Sequence, residues 1–114
     1  PRGIGRLSQL QNLSLSGNKL ASLPTEIRNL TMLNQLNLAH NQIEELPEEI
    51  GSLRQLNILS LQNNQLRKLP ITNLPRLHHL FLKGNKFRDP QQEILFLEGR
   101  TRCRVSRDRY YYTD

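Results

Sequence analysis

One eleven-residue phrase occurs four times in this chain, and it restricts what everything around it can fold into. It reads Leu10-Gln-Asn-Leu13-Ser-Leu15-Ser-Gly-Asn18-Lys-Leu20, then Leu33-Asn-Gln-Leu36-Asn-Leu38-Ala-His-Asn41-Gln-Ile43. The third copy is Leu56-Asn-Ile-Leu59-Ser-Leu61-Gln-Asn-Asn64-Gln-Leu66, and the fourth is Leu77-His-His-Leu80-Phe-Leu82-Lys-Gly-Asn85-Lys-Phe87. From Asn18 to Asn41, Asn64 and Asn85 the steps are 23, 23 and 21 residues. A unit of this length cannot enclose its own apolar face, so successive units must stack and cover one another. A stacked column of leucines needs no large aromatic side chains to fill it. Aromatic content is accordingly only 5%, with no tryptophan.

Within each copy the Leu-x-Leu alternation marks a short strand with one apolar side. In the first copy Leu13 and Leu15 point inward, while Asn12, Ser14 and Ser16 point out. Parallel strands cannot be joined by tight hairpins and need a crossover of about a dozen residues or more. The step between copies supplies it. Gly17 and its equivalents begin the turn away from the strand, and the asparagine that follows is the one polar residue at an inward position. A buried amide must have its donors and acceptors met, and the turning backbone offers them.

The return halves are Leu20-Ala-Ser-Leu23-Pro24-Thr-Glu-Ile27-Arg-Asn-Leu30 and Ile43-Glu-Glu-Leu46-Pro47-Glu-Glu-Ile50-Gly-Ser-Leu53. Pro24 and Pro47 pre-set φ for the first turn of a short helix, with glutamates close behind where the helix dipole favours them. The third return half is two residues shorter and carries Pro75 after Pro70, so an extended connection is expected there.

The pattern L-x-x-L-x-L-x-x-N-x-L resembles the leucine-rich repeat family over about residues 1 to 88. The back half L-x-x-L-P-x-x-I-x-x-L resembles its intracellular 23-residue subclass, which includes Ras-suppressor-type adaptors, the Scribble and Erbin group and many bacterial effectors. The resemblance implies an α/β architecture: a right-handed leucine-rich-repeat solenoid with a parallel β-sheet on the concave face and a C-terminal cap helix. It also implies that the recurring asparagines form a ladder to neighbouring backbone groups.

Four segments follow from this reading. Residues 1–9 form the back half of a truncated repeat, because Pro1-Arg-Gly-Ile4-Gly5-Arg-Leu7 aligns with Pro47-Glu-Glu-Ile50-Gly51-Ser-Leu53. Residues 10–88 hold the four repeats. Residues 89–99 form the cap helix, with Asp89 at the N-cap, Pro90 behind it and Gly99 past the end. Residues 100–114 form a basic tail or an edge strand. The expected state is a fragment of a longer solenoid, monomeric or associating end to end through an uncapped first repeat.

Charge and cysteine content limit the function classes. The net charge of +6 favours acidic partners weakly. Cys103 is the only cysteine, so no intrachain disulfide can form, which points to the cytoplasm; a translocated effector is the other expectation. No apolar run approaches the roughly 18 residues of a membrane span. Catalysis lacks a nucleophile with a placed base, a phosphate loop or paired carboxylates, so neither an enzymatic activity nor a cofactor is expected. His78-His79 lacks a third ligand at metal spacing, and neighbours on a strand point to opposite sides, so no metal site is expected.

What remains is the outward side of the strands. Its columns are Asn12, Gln35, Ile58 and His79; Ser14, Asn37, Ser60 and Phe81; and Ser16, Ala39, Gln62 and Lys83. The first two repeats offer small polar groups. The last two offer Ile58, His79 and Phe81, edged by Lys83, and aromatic groups with a polar rim are the usual makings of a binding hot spot. The expected function is a non-catalytic module holding a protein partner through Gln35, Asn37, Ile58, Ser60, Gln62, His79, Phe81 and Lys83, within a scaffold or adaptor. The alternative is the substrate-recognition arm of a larger enzyme or bacterial effector. Nucleic acid, through Arg100–Arg109 and Tyr110–Tyr112, is disfavoured because that cluster matches no binding motif.

Overall fold

In the computed structural model residues 8–68, 74 and 76–87 are described. The element order follows the repeats. Strand β1 is Asn12–Ser14, β2 is Gln35–Asn37, β3 is Ile58–Ser60 and β4 is His79–Phe81. They form one parallel sheet in the order β1-β2-β3-β4. The register pairs equivalent residues: Leu13 with Leu36, Leu36 with Leu59 and Leu59 with Leu80. A slip of one residue would turn this leucine column outward, so the apolar pattern holds the register.

Backbone bonding between repeats reaches well past the three-residue strands. Before each strand, the carbonyl of Gln11 accepts from the N–H groups of Asn34 and Gln35, and Asn34 and Asn57 do the same for the next repeats. After it, Leu15, Leu38 and Leu61 donate to Asn37, Ser60 and Phe81 at 2.8, 2.8 and 2.9 Å. Beyond the turn, Gln42, Gln65 and Lys86 donate back to Leu20, Ile43 and Leu66. Each repeat thus satisfies its backbone largely on its neighbours.

The turn out of the strand is left-handed at four equivalent positions. Gly17, His40, Asn63 and Gly84 have φ of 72, 57, 58 and 79°. At Gly84 a Cβ would meet the side-chain oxygen of Asn63 as well as the left-handed φ, so glycine is favoured there on two counts. The expectation that Gly17 and its equivalents start the turn holds for all four.

The recurring asparagines build the ladder that the family resemblance implied. Asn41 Nδ2 donates to the carbonyls of Leu15, Leu38 and Ala39 at 2.9, 3.0 and 3.2 Å, and its Oδ1 accepts from the N–H groups of Asn18 and Leu20, both at 2.9 Å. Asn64 Nδ2 bonds the carbonyls of Leu38 and Leu61, and its Oδ1 accepts from Ile43. Asn85 repeats this with Leu61, Leu82 and Leu66. Asn41 and Asn64 are buried, so each amide replaces water for carbonyls that have turned away from the sheet.

The return halves differ from the expected short helix in one respect. Thr25–Asn29 and Glu48–Ser52 are 3-10 turns, and Pro24 and Pro47 stand just before them in extended conformation, with ψ of 151 and 150°. Proline is therefore the capping residue and not the first helical one. The reason lies in the spacing. The carbonyls of Pro24, Ile27 and Leu30 accept in succession from Ile27, Leu30 and Leu33, and those of Pro47, Ile50 and Leu53 from Ile50, Leu53 and Leu56. Side chains three apart eclipse one another on a 3-10 turn, which sends Ile27, Leu30 and Leu33 to the same buried face.

At the shortened third return half, Leu74 is buried and its carbonyl accepts from Leu77, as Leu30 and Leu53 do for Leu33 and Leu56. The extended connection expected before it, the truncated repeat at residues 1–7, the cap helix and residues 100–114 lie outside the described residues. The core is almost wholly aliphatic, running from Leu23 to Leu82, with Phe87 packed on its edge. Leu10, Leu13, Leu15 and Leu20 of the first repeat are only partly buried against it.

Candidate functional site

The sheet turns one side to the leucine core and presents the other. Because register pairs equivalent residues, the outward side chains align in columns across the strands. Adjacent members of a column stand one strand spacing apart, about 4.8 Å. A shallow groove of about 360 Å³ crosses the first three strands, with Asn12, Ser14, Gln35, Asn37, Ile58 and Ser60 on its walls and Leu13 and Leu36 in its floor.

Of the eight residues singled out in the sequence, Gln35, Asn37, Ile58 and Ser60 line this groove. Gln35 is exposed, while Asn37, Ile58 and Ser60 are half-buried. Asn37 is partly committed to the fold, since its Oδ1 accepts from the Ala39 N–H at 3.0 Å. The other four lie on the C-terminal side. His79 and Phe81 pair directly with Ile58 and Ser60, which brings Ile58, His79 and Phe81 into one corner. His79 and Lys83 are exposed, and Phe81 is half-buried. Gln62 differs from the rest. It is half-buried, and its Oε1 is enclosed with no hydrogen-bond partner among the described residues.

The third outward column departs from expectation at Ala39, which is 2% exposed. A single methyl group between Ser16 and Gln62 is too short to rise above its column, and its backbone is held on both sides: the N–H by Asn37, the carbonyl by Gly17 and Asn41.

Two features escaped the sequence reading. Asn12 and Ser14, placed in the outward columns but left out of the expected contact set, line the groove too. A second and larger groove, about 920 Å³, lies beyond the asparagine ladder and is lined by Ala21, Gln42, Glu44, Gln65, Arg67 and Lys86. Its columns are visible in the sequence as positions one and three past each ladder asparagine. That they face a common groove depends on the path of the turn.

The histidines are individually tied. His78 Nδ1 lies 2.6 Å from the Arg76 carbonyl and 3.2 Å from the Asn57 amide nitrogen. His40 Nδ1 lies 3.2 Å from the Asn63 amide nitrogen in the left-handed column. Among the described residues no group of three or more His, Cys, Asp or Glu could hold a metal ion. No helix among them is long and apolar enough to cross a membrane.

Residues 1–96 match the family described as leucine-rich repeat region. Among solved structures it is similar to a leucine-rich repeat protein of Leptospira interrogans, with 43% sequence identity and a TM-score of 0.79. That match covers 86% of this chain and 26% of the Leptospira chain, so the present chain spans about a quarter of its relative's length. No curated protein matches it. The parallel sheet, the asparagine ladder and the match over most of the chain agree, and the chain belongs to the leucine-rich repeat family.

Proposed function

We propose that this chain is a non-catalytic recognition module that holds a protein partner on the outward side of its sheet, which curves into a concave face, within a longer scaffold or adaptor. Leucine-rich repeat domains generally mediate protein–protein interaction, and the family is generally a non-enzymatic fold. The observation that carries the reading here is the register of β3 on β4, which sets apolar Ile58 beside His79 and Phe81, with exposed Lys83 two residues beyond. Gln35, Asn37, Ser60 and Gln62 supply adaptable hydrogen-bonding groups around it. Apolar anchors ringed by polar side chains concentrate binding energy, because the ring excludes water from the anchor.

The test is a double substitution, Ile58→Ser with Phe81→Ser, on the full chain. Neither residue belongs to the leucine column, so the circular dichroism spectrum and the unfolding midpoint should stay close to those of the parent. Partner captured from lysate of the source organism should fall by about tenfold or more, since two anchors at about 1–2 kcal/mol each are removed. Capture unchanged by the double substitution would refute the assignment.

A further inference from the structure

The outward face and the return halves differ in charge, and the difference points to the chemistry of the partner. Every carboxylate among the described residues lies in the first two return halves: Glu26, Glu44, Glu45, Glu48 and Glu49. The three outward columns contain none. Along the stack the asymmetry is sharper still. From Ile50 to Phe87 the sequence has no Asp or Glu, while Arg54, Arg67, Lys68, Arg76, Lys83 and Lys86 are all exposed. Arg76 illustrates the consequence: its guanidinium donates to the neutral Gln55 Oε1 at 2.6 Å. Among the described residues the third and fourth repeats, which hold the Ile58–Phe81 corner, thus carry an excess of positive charge and so a net positive field. Such a field attracts acidic groups and repels basic ones.

Resting on the recognition reading above, we infer that the partner is an acidic polypeptide segment, seated with its carboxylates toward Lys83, with Lys86 past the turn adding to the attraction, and an apolar side chain against Ile58 and Phe81. The outward columns favour polypeptide over nucleic acid. Their groups are amides and hydroxyls (Asn12, Gln35, Asn37, Ser60), which match main-chain donors and acceptors. Lys83 is their one cationic residue, and they have no arginine. A polyphosphate backbone is bound by a continuous track of Lys and Arg with stacked aromatics, which these columns lack.

The experiment uses fluorescence anisotropy on the full chain with three labelled probes: a Glu-Leu-Ser repeat peptide, its Lys-Leu-Ser counterpart and oligouridine. The acidic peptide should bind and the basic one should not. Lys83→Glu with Lys86→Glu should weaken acidic-peptide binding by about tenfold, through loss of steering and of close charge pairs. Glu48→Lys with Glu49→Lys, on the return side, should change it by less than about twofold. Equal binding of the two peptides would overturn the inference. So would binding that survives Lys83→Glu/Lys86→Glu, since it would report the arginines of residues 100–109. Oligouridine binding tighter than the acidic peptide and lost in the same variant would replace polypeptide with nucleic acid. The captured partner separates this inference from the reading it rests on. Loss in Ile58→Ser/Phe81→Ser but not in Lys83→Glu/Lys86→Glu overturns the acidic partner alone, whereas indifference to both overturns the two together.

Discussion

Asn18 and Asn41 occupy the same position of the same phrase, yet they do different amounts of work. Asn41 is buried and makes five hydrogen bonds to backbone groups of two repeats. Asn18 is exposed, and among the described residues its side chain makes one, at 3.2 Å, to the carbonyl of Ser16 within its own turn. The leucines show the same contrast. Leu36 and Leu59 are fully enclosed between neighbouring strands, whereas Leu13 of the first strand is only partly buried. The stabilising value of a repeat residue is therefore set less by its identity than by how fully neighbouring repeats enclose it.

The comparison can be tested by substitution at matched positions, with stability read from denaturant unfolding. The largest effect is expected in the leucine column. Leu59→Ala should cost about 3–4 kcal/mol, since the enclosed site cannot collapse around the cavity, while Leu13→Ala should cost about 1–2 kcal/mol. Next comes the ladder. Asn64→Ala leaves the carbonyls of Leu38 and Leu61 and the Ile43 N–H without this partner and should cost about 2–3 kcal/mol. Asn18→Ala should cost less than about 0.5 kcal/mol, in line with exposed positions generally. Equal costs at Asn18 and Asn64 would mean that the amide acts within its own turn, and the contrast drawn here would fail.

Smaller effects are expected in the left-handed column. Gly84→Ala meets both the unfavourable φ and the side chain of Asn63, so about 2 kcal/mol is expected. Gly17→Ala has nothing within 4 Å of the added methyl, and only the backbone penalty of about 1 kcal/mol remains. The smallest effect is that of Asn63→Gly. Asparagine already tolerates this conformation, so glycine should shift stability by no more than about 0.5 kcal/mol in either direction. Amide exchange gives an independent check: β1 amides should exchange faster than those of β3, and uniform protection across the sheet would contradict the graded picture.

Much of the fold is legible in the residues. The Leu-x-Leu alternation marks the strands, and the fixed interval between copies aligns them, so the outward columns are readable from the residues alone. The three-residue spacing of Ile27, Leu30 and Leu33 behind Pro24 marked the buried face but not the turn type: a short helix beginning at proline was expected, and Thr25–Asn29 is a 3-10 turn that Pro24 caps. Ala39 shows the limit of the column reading. Alternation states which way a side chain points but not whether its neighbours are long enough to cover it. The second groove escaped because its columns follow a left-handed turn, where neither strand nor helix periodicity applies.

By itself, the sequence determined that units of this length must stack, which residues form the apolar column, and where carboxylates are missing. These are properties of spacing and composition, and they do not depend on where the chain bends. Only the tertiary structure decided how much each copy is worth and which outward residues meet. Burial and amide bonding come from the neighbouring repeat, so Asn18 and Asn41 differ although their phrases do not. Ile58 and Phe81 lie 23 residues apart in the chain, and the register of β3 on β4 is what places them in one corner.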